Sequence, residues 1–115
     1  MTVQEIIERL NLKVVTAADL NREITGGYAS DLLSCVMAGA KAGNVWVTLQ
    51  AHPNVVAVAS LLDLAAVVIT EGIAPDADTT TKAEQNSVTL LRTPRPTFAI
   101  VGELVSAGVK APGAE

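Results

Sequence analysis

The segment NREITGGYASDLL, residues 21–33, contains the residue types that are best suited to bind an anion. Thr25, Gly26 and Gly27 stand just ahead of a helical pattern. Glycines before a helix let successive N–H groups turn toward an anion, and the helix dipole adds partial positive charge. The segment has neither a Gly-Lys-Ser/Thr ending nor a Gly-x-Gly-x-x-Gly pattern. Two interpretations therefore stay open, an anion-binding loop and a tight turn that uses positive φ at glycine.

Arg22, in the same segment, is the nearest side chain that could grip a phosphate with two parallel hydrogen bonds. The alternative is a surface ion pair with Glu23 or Asp19, and the residue spacing favours that pair. We keep Arg22 as a candidate ligand-binding residue.

A second group of polar residues follows two predicted strands. Gln50, His52 and Asn54 come after one strand, and Thr70 and Gly72 come after the next. Ligands of open α/β sheets bind outside the carboxyl ends of the strands. We therefore expect these five residues to form one binding rim together with the two glycines of the first segment. The competing interpretation is that His52 and Asn54 only serve the start of the following helix.

Catalytic and metal chemistry find little support in the residue pattern. His52 is the one histidine, so its use as a base or phosphoacceptor lacks a partner, and no metal-ligand spacing is present. Asp76 and Asp78 resemble calcium ligands only superficially, and Asp78 is more simply a helix cap. Cys35 has no cationic neighbour in sequence, which indicates a half-buried structural thiol. We expect no catalytic residue, no metal and no cofactor, hence no enzyme.

Composition narrows the class of protein. The chain has 115 residues, 50% of them hydrophobic, but only one Trp, one Tyr and one Phe. Such a core of aliphatic residues is typical of α/β domains with buried parallel strands. The net charge of -4 argues against nucleic-acid and membrane partners, which need clustered Lys and Arg. One cysteine, no leader pattern and no apolar span indicate a soluble, cytoplasmic protein.

Periodicity predicts strands alternating with helices. The predicted helices cover 2–10, 29–40, 52–64, 79–86 and 96–108, and the predicted strands cover 11–17, 44–50, 65–70 and 87–93. Residues 17–28 have no period and are predicted as a loop. The inward-facing residues expected on the second and last helices are Leu32, Leu33, Val36, Met37, Phe98, Val101, Leu104 and Val105. This order predicts a single three-layer α/β/α domain, residues 1–109, with a mostly parallel sheet of four to five strands, and a flexible C-terminal tail, residues 110–115.

The motifs REITGGY, NVW with TLQ, and HPNVVAVASLLDLAAVVIT resemble stand-alone members of the DRTGG domain family. The likeness runs from about Val3 to about Gly108. It implies a fold similar to the N-terminal domain of HPr kinase/phosphorylase. It also implies a regulatory role, because related domains lie beside phosphotransacetylase domains or between CBS domains of pyrophosphatases, with adenine-nucleotide binding in the latter. Asn21 replaces the family's Asp, and Cys35 stands where an acidic residue is expected.

Three hypotheses on function follow. The first is a non-catalytic regulatory domain that senses an adenine nucleotide or another anionic small molecule. The second is a homodimeric protein-interaction module without a small ligand, which the resemblance associates with kinase or hydrogenase systems. The third, an enzyme using His52, is disfavoured by the missing partner groups. We expect the first two in combination, a homodimeric regulatory domain.

Overall fold

The centre of the molecule is a pair of strands that are buried along their whole length. The structure, a computed structural model, describes residues 1–113. Every residue of β3 (Asn44–Thr48) and β4 (Ala66–Ile69) is buried. Their β-branched and small apolar side chains suit a parallel sheet that is covered on both faces. Because side chains alternate along a strand, each of these strands contributes to two separate cores.

Three further strands complete a five-stranded sheet. They are β1 (Lys13–Thr16), β2 (Gly26–Ala29) and β5 (Leu90–Arg92), and the sheet order is β1-β5-β4-β3-β2. Strands β2 to β5 are mutually parallel, whereas β1 is antiparallel to β5. This mostly parallel sheet confirms the fold class that the alternating pattern predicted.

Helices cover both faces of the sheet. They are α1 (Val3–Leu10), α2 (Leu33–Gly39), α3 (Pro53–Leu61), α4 (Ala77–Gln85) and α5 (Thr97–Ser106). The first core joins α1 and α5 to one face of the sheet, and the second joins α2, α3 and α4 to the other. Trp46 is fully buried in the second core and donates its indole N–H to the Ser30 carbonyl at 2.9 Å. Within residues 1–113, the helices are all too short or too polar to cross a bilayer.

The predicted loop 17–28 is wrong at its end, because it contains the start of β2. Gly26 and Gly27 pair with Asn44 and Val45 of β3 in parallel register. The two glycines are extended, and the positive-φ glycines of the described chain lie elsewhere, at positions 43, 72, 108 and 113. Glycine is depleted in strands, so neither the periodicity nor the residue propensities of this segment predict strand β2. The interpretation as a tight turn with positive φ is therefore wrong.

Helix α2 is shorter than predicted and buries a narrower stripe. It has seven residues and is centred on the fully buried Val36. Leu32 lies before the helix and is 61% exposed, and Met37 is 47% exposed. Cys35 is exposed as well, which corrects the expectation of a half-buried thiol. Two turns of helix cannot point all these residues to one side, because neighbouring positions differ by about 100° around the axis.

Helix α5 is apolar around more of its circumference than its packing requires. Ile100 and Leu104 are buried in the core, and Val101 is half-buried. Phe98 is 91% exposed and Val105 is 63% exposed, so the prediction that both face inward is wrong. The inward stripe is set by Ile100 and Leu104, which are four residues apart and lie one above the other. Phe98 and Val105 are left on the solvent side.

Candidate functional site

The parallel strands place the candidate residues at two different places rather than on one rim. Gln50, His52, Thr70 and Gly72 follow the carboxyl ends of β3 and β4. Gly26 pairs with the first residue of β3, close to the amino ends of the strands. The prediction that all of them lie on one rim is therefore wrong. The ligand-binding role of each residue stays a prediction.

At the carboxyl end of β3, Gln50 is engaged in holding the turn that leads from β2 to α2. Its side-chain amide donates to the Asp31 carbonyl at 3.1 Å. The Asp31 carboxylate accepts hydrogen bonds of 2.8 Å from the Thr48 hydroxyl and from the Leu49 N–H. Sequence reasoning missed Asp31, although an aspartate two residues before the first helical residue, Leu33, resembles a helix cap. This carboxylate ties the ends of β2 and β3 together.

The end of β4 is tied to the start of α5 in the same way. Thr70 is fully buried, and its hydroxyl oxygen lies 2.6 Å from that of Thr97. The Glu71 carboxylate accepts from the Thr97 backbone N–H at 2.8 Å. Gly72 has φ +74 and donates its N–H to the Thr93 carbonyl at 3.1 Å. Thr70 and Gly72 therefore have structural partners that account for their presence.

His52 and Asn54 lie exposed at the start of α3. His52 occupies the N-cap position with no side-chain capping hydrogen bond, and Pro53 begins the helix. The rigid φ of proline and its missing N–H suit this position. Asn54 is exposed in the first turn. The segment thus lies at the helix start, as the competing interpretation has it, but the His52 side chain does not cap the helix.

The neighbouring helix α4 is capped by Asp76, which corrects the expectation that Asp78 is the cap. The Asp76 carboxylate accepts from the Thr79 N–H at 2.8 Å and from the Thr79 hydroxyl at 2.9 Å. The hydrogen bond from the Thr79 backbone is the main reason why the pKa of Asp76 is lowered. The helix begins at Ala77, so Asp78 lies inside its first turn. The Ala51 carbonyl also lies 2.9 Å from the Thr79 hydroxyl oxygen, so Asp76 and Ala51 share the single hydroxyl proton.

Arg22 is paired, but with neither of the two partners that the sequence suggested. Its guanidinium donates to both carboxylate oxygens of Asp63, at 2.7 and 3.0 Å, and to the Asp63 carbonyl at 2.9 Å. These hydrogen bonds lower the pKa of Asp63. Asp63 is 41 residues away in sequence and has φ +56, in the turn before β4. No local spacing signals such a pair.

Thr25 belongs to the same end of the sheet. Its hydroxyl donates to the Ala42 carbonyl at 2.8 Å and accepts from the Asn44 side-chain amide at 3.2 Å. A Cβ on Gly43 would lie 2.7 Å from the Thr25 methyl group. Thr25 therefore anchors the start of β2 against the start of β3.

The glycines that follow Thr25 make room for the segment after α5. Gly27 donates its N–H to the Lys110 carbonyl at 2.8 Å. A Cβ on Gly26 would lie 2.9 Å from the same carbonyl oxygen, and a Cβ on Gly27 would lie 3.0 Å from Val109 Cγ1. Any side chain at position 26 would press on this segment. The tail 110–115 was predicted to be flexible, and that remains a prediction; residues 114 and 115 lie outside the described residues.

A cavity of about 410 Å³ opens beside Gly27, between the edge strand β2 and α5. Its lining is mostly aliphatic and includes Gly27, Ala29, Val47, Val101, Val105 and Pro112. Tyr28 and Lys110 are the lining residues with polar side chains. A Cβ on Gly39 would lie within 2.5–2.7 Å of three atoms of Tyr28, so Gly39 is what lets this ring lie against α2.

A second cavity, of about 270 Å³, lies on the other side of the same C-terminal segment. Thr25 and Gly26 line it together with Met1 and Lys110. The two cavities thus flank residues 109–111, which line both. The residues Thr25, Gly26 and Gly27 all border one of these cavities, whereas Gln50 and His52 border neither. Among residues 1–113, no group of three or more His, Cys, Asp or Glu side chains is arranged to hold a metal ion.

Comparison with known proteins finds a solved structure with a similar fold. No protein-family model matches the chain. A search of curated proteins also found no match. Among solved structures, the chain is similar to the CBS and DRTGG domains of the regulatory region of Clostridium perfringens pyrophosphatase, complexed with the activator diadenosine tetraphosphate. The TM-score is 0.70 at 12% sequence identity, over 97% of this chain and 51% of that one. The chain spans about half the length of that structure, and the likeness shows the fold.

Proposed function

We propose that this chain is a non-catalytic regulatory domain of the DRTGG type that senses an anionic small molecule, either nucleotide-like or another metabolite. The observation that carries the proposal is the cavity beside Gly27. Its volume of about 410 Å³ lies within the range of small-molecule sites, and its aliphatic wall with two polar side chains has their usual composition. The similar fold of a pyrophosphatase regulatory region with a bound nucleotide activator supports the regulatory role.

The two ends of the strands differ in what they offer a ligand. At the carboxyl ends, Gln50 and Thr70 already bond to protein groups. Beside Gly27, the walls are apolar and the space is open. A ligand bound there would contact β2, α5 and the C-terminal segment at once. Regulation follows if the ligand binds one arrangement of these three parts more tightly than another.

A thermal-shift screen tests the proposal. The ligands are ATP, ADP, AMP, dinucleotides, diadenosine tetraphosphate, acetyl phosphate and the monocarboxylate octanoate, each at high concentration. Binding to the native state raises the melting temperature by mass action, so weak ligands still register. We expect at least one ligand to raise the melting temperature of the wild type. The rise should be absent in Gly27→Val, because its side chain would enter the space beside Val109.

Two further variants make the screen decisive. Gly102→Ala is the matched control, since a Cβ at position 102 meets nothing within 4 Å. Ala29→Phe replaces Gly27→Val if that variant does not fold, because Ala29 lines the cavity but is exposed. A screen in which no ligand moves the wild-type transition would contradict the sensing role. A shift that survives in both cavity variants would move the site elsewhere, with the segment around His52 as the next candidate.

We propose as a second candidate that the domain is a homodimeric interaction module, with or without a ligand. The specific observation is the apolar outer side of α5, where the exposed Phe98 and Val105 flank the half-buried Val101 at helical spacing. An exposed phenylalanine beside other apolar side chains is typical of a surface that another protein covers. A link to kinase or hydrogenase systems would rest on the family resemblance alone.

Sedimentation velocity over a range of concentrations tests this candidate. We expect a dimer for the wild type and a monomer for Phe98→Glu, because the new charge would be buried in the interface. Leu61→Glu is the control: Leu61 is 71% exposed on α3, away from the stripe. If the wild type sediments as a monomer at every concentration, the second candidate is wrong.

A further inference from the structure

The ligand class of the cavity beside Gly27 can be narrowed from its walls. Among the described residues that line it, Lys110 is the single charged one, and Tyr28 supplies the other polar side chain. The remaining lining residues are aliphatic, proline or glycine. A ligand that fits must therefore bury an apolar body and present little charge.

The backbone offers no additional grip for a phosphate here. A nucleotide-binding glycine loop holds phosphates with several free N–H groups and a helix N-terminus. The Gly27 N–H already donates to the Lys110 carbonyl, and the glycines lie in a strand rather than before a helix. One lysine cannot neutralise a polyphosphate, which usually requires several cationic or N–H donors. The walls thus disfavour a nucleoside polyphosphate.

A lysine at the mouth of an apolar cavity is complementary to a single carboxylate. The side chain of Lys110 is exposed, so its ammonium stays hydrated while its stem can reach across the opening. The Tyr28 hydroxyl lies against Gly39 of α2 and is a second hydrogen-bond donor of the lining, available to a polar substituent on the ligand. An aliphatic or aryl tail would replace water along Val47, Val101 and Val105.

We infer that the cavity binds an apolar monocarboxylate, with its chain between β2 and α5 and its acid group at Lys110. This inference rests on the proposed sensing function and names the ligand of that same site. The C-terminal segment forms one wall, through Val109 and Pro112. Binding therefore couples the ligand to the position of this segment on the edge strand.

Isothermal titration calorimetry of the full chain with octanoate, below the concentration at which it forms micelles, tests the inference. Octanol is the uncharged probe of matched length, and ATP is the polyphosphate probe. We expect octanoate to bind, octanol to bind more weakly, and ATP not to compete. Lys110→Gln should weaken octanoate about fivefold, the range of an exposed charge interaction. Lys41→Gln, which changes an exposed lysine outside the cavity, should bind like the wild type.

A cavity-filling variant separates the apolar part of the site from the charge. Ala29→Phe places a ring at an exposed lining position, so the core is unchanged and octanoate binding should be lost. Amide chemical-shift changes confined to β2, α5 and residues 109–112 would support the location. Equal affinity of octanoate for the wild type and Lys110→Gln would overturn the carboxylate assignment.

Failure of this inference can be told apart from failure of the sensing function. If octanoate does not bind but a nucleotide shifts the wild type and not Gly27→Val, the ligand class is wrong and the sensing role stands. If neither binds, both are wrong. If octanoate fails to bind and the chain is a dimer that Ala29→Phe dissociates, a second copy covers the cavity, which also overturns the inference.

Discussion

The carboxyl edge of the sheet and the edge formed by β2 are built on opposite principles. The first is rich in polar side chains, and several of them bond to a neighbouring element: Asp31 to β3, Glu71 to the start of α5, and Thr79 to Ala51. The second is mostly aliphatic and encloses a cavity beside Gly27. Polar residue types alone therefore do not locate a binding site. What matters is whether their hydrogen bonds are already made.

The same contrast explains the use of glycine at the two edges, Gly26 and Gly27 at the β2 edge and Gly72 at the carboxyl edge. At the β2 edge they are needed because another chain segment approaches closely, and not because the backbone adopts a positive φ. At the carboxyl edge, by contrast, Gly72 does adopt a positive φ, in the turn after β4. Glycine is thus needed at the β2 edge because a side chain would collide with the segment after α5, and at the carboxyl edge because the backbone adopts a positive φ.

The largest expected loss of stability comes from a substitution that disrupts the packing of the β2 edge. Gly26→Val would place its Cβ 2.9 Å from the Lys110 carbonyl oxygen and 3.1 Å from the Asn44 side-chain amide. Gly26 is buried, so neither neighbouring group can move away without disturbing the surrounding packing. We therefore expect a loss of about 3 kcal/mol in the free energy of unfolding. Urea-induced unfolding measures it.

Two controls show whether the C-terminal segment is responsible. Gly102→Val on α5 should change the free energy of unfolding by less than about 0.5 kcal/mol, because nothing lies near its Cβ. In a chain without residues 110–115, Gly26→Val should cost less, since the opposing carbonyl is gone. An unchanged cost in the shortened chain would show that the glycines do not accommodate that segment.

The next largest loss of stability is expected from a substitution that removes hydrogen bonds at the carboxyl edge. Asp31→Ala removes the acceptor of the Thr48 hydroxyl, which belongs to a fully buried residue, and of the Leu49 N–H. Buried donors without partners are costly, so we expect a loss of about 2 kcal/mol in the free energy of unfolding. Asp31→Asn keeps an acceptor oxygen and should lose clearly less. Equal losses in the two variants would mean that the hydrogen bonds contribute little and that this edge is less firmly tied than the geometry indicates.

The fold was accessible from the sequence because it depends on patterns that are local. Runs such as those of β3 and β4, and the helices between them, follow from apolar periodicity and short connections. Strand β2 was missed because glycines carry no such pattern and its pairing partner lies about 18 residues away. Recognising this strand requires knowing that residues 26–29 lie in register beside β3, which local periodicity does not show.

The candidate site was less accessible because it depends on contacts between distant residues. The pair of Arg22 with Asp63 and the hydrogen bond from Gly27 to Lys110 join segments that are far apart in sequence. The outward direction of Phe98 depends on which residues of α5 the core selects. None of these follows from residue type and spacing. The polar residues after β3 and β4 were correctly placed at strand ends, but their mutual hydrogen bonds were not foreseeable.

The smallest expected effect is a difference between the two edges in how their local stability depends on pH. Asp76 caps α4 at the carboxyl edge, and hydrogen bonding from Thr79 lowers its pKa in the folded state. A carboxyl group whose pKa is lowered by folding stabilises the fold above its ordinary pKa, and this contribution is lost as the pH falls through the lowered value. Acid should therefore loosen the start of α4 before it affects Gly27, because no acidic residue within residues 1–113 lines the cavity beside it.

Hydrogen exchange of backbone amides, corrected for the intrinsic effect of pH, measures this difference. Between neutral and acidic pH we expect a few-fold loss of protection in the first turn of α4 and little change at Gly27, whose partner is the Lys110 carbonyl. In Asp76→Asn the protection of α4 should be lower at neutral pH and should no longer fall with acid, because the titrating group is gone. If protection at both places falls in parallel in the wild type, acid acts on the whole fold and the two edges are not independent in stability.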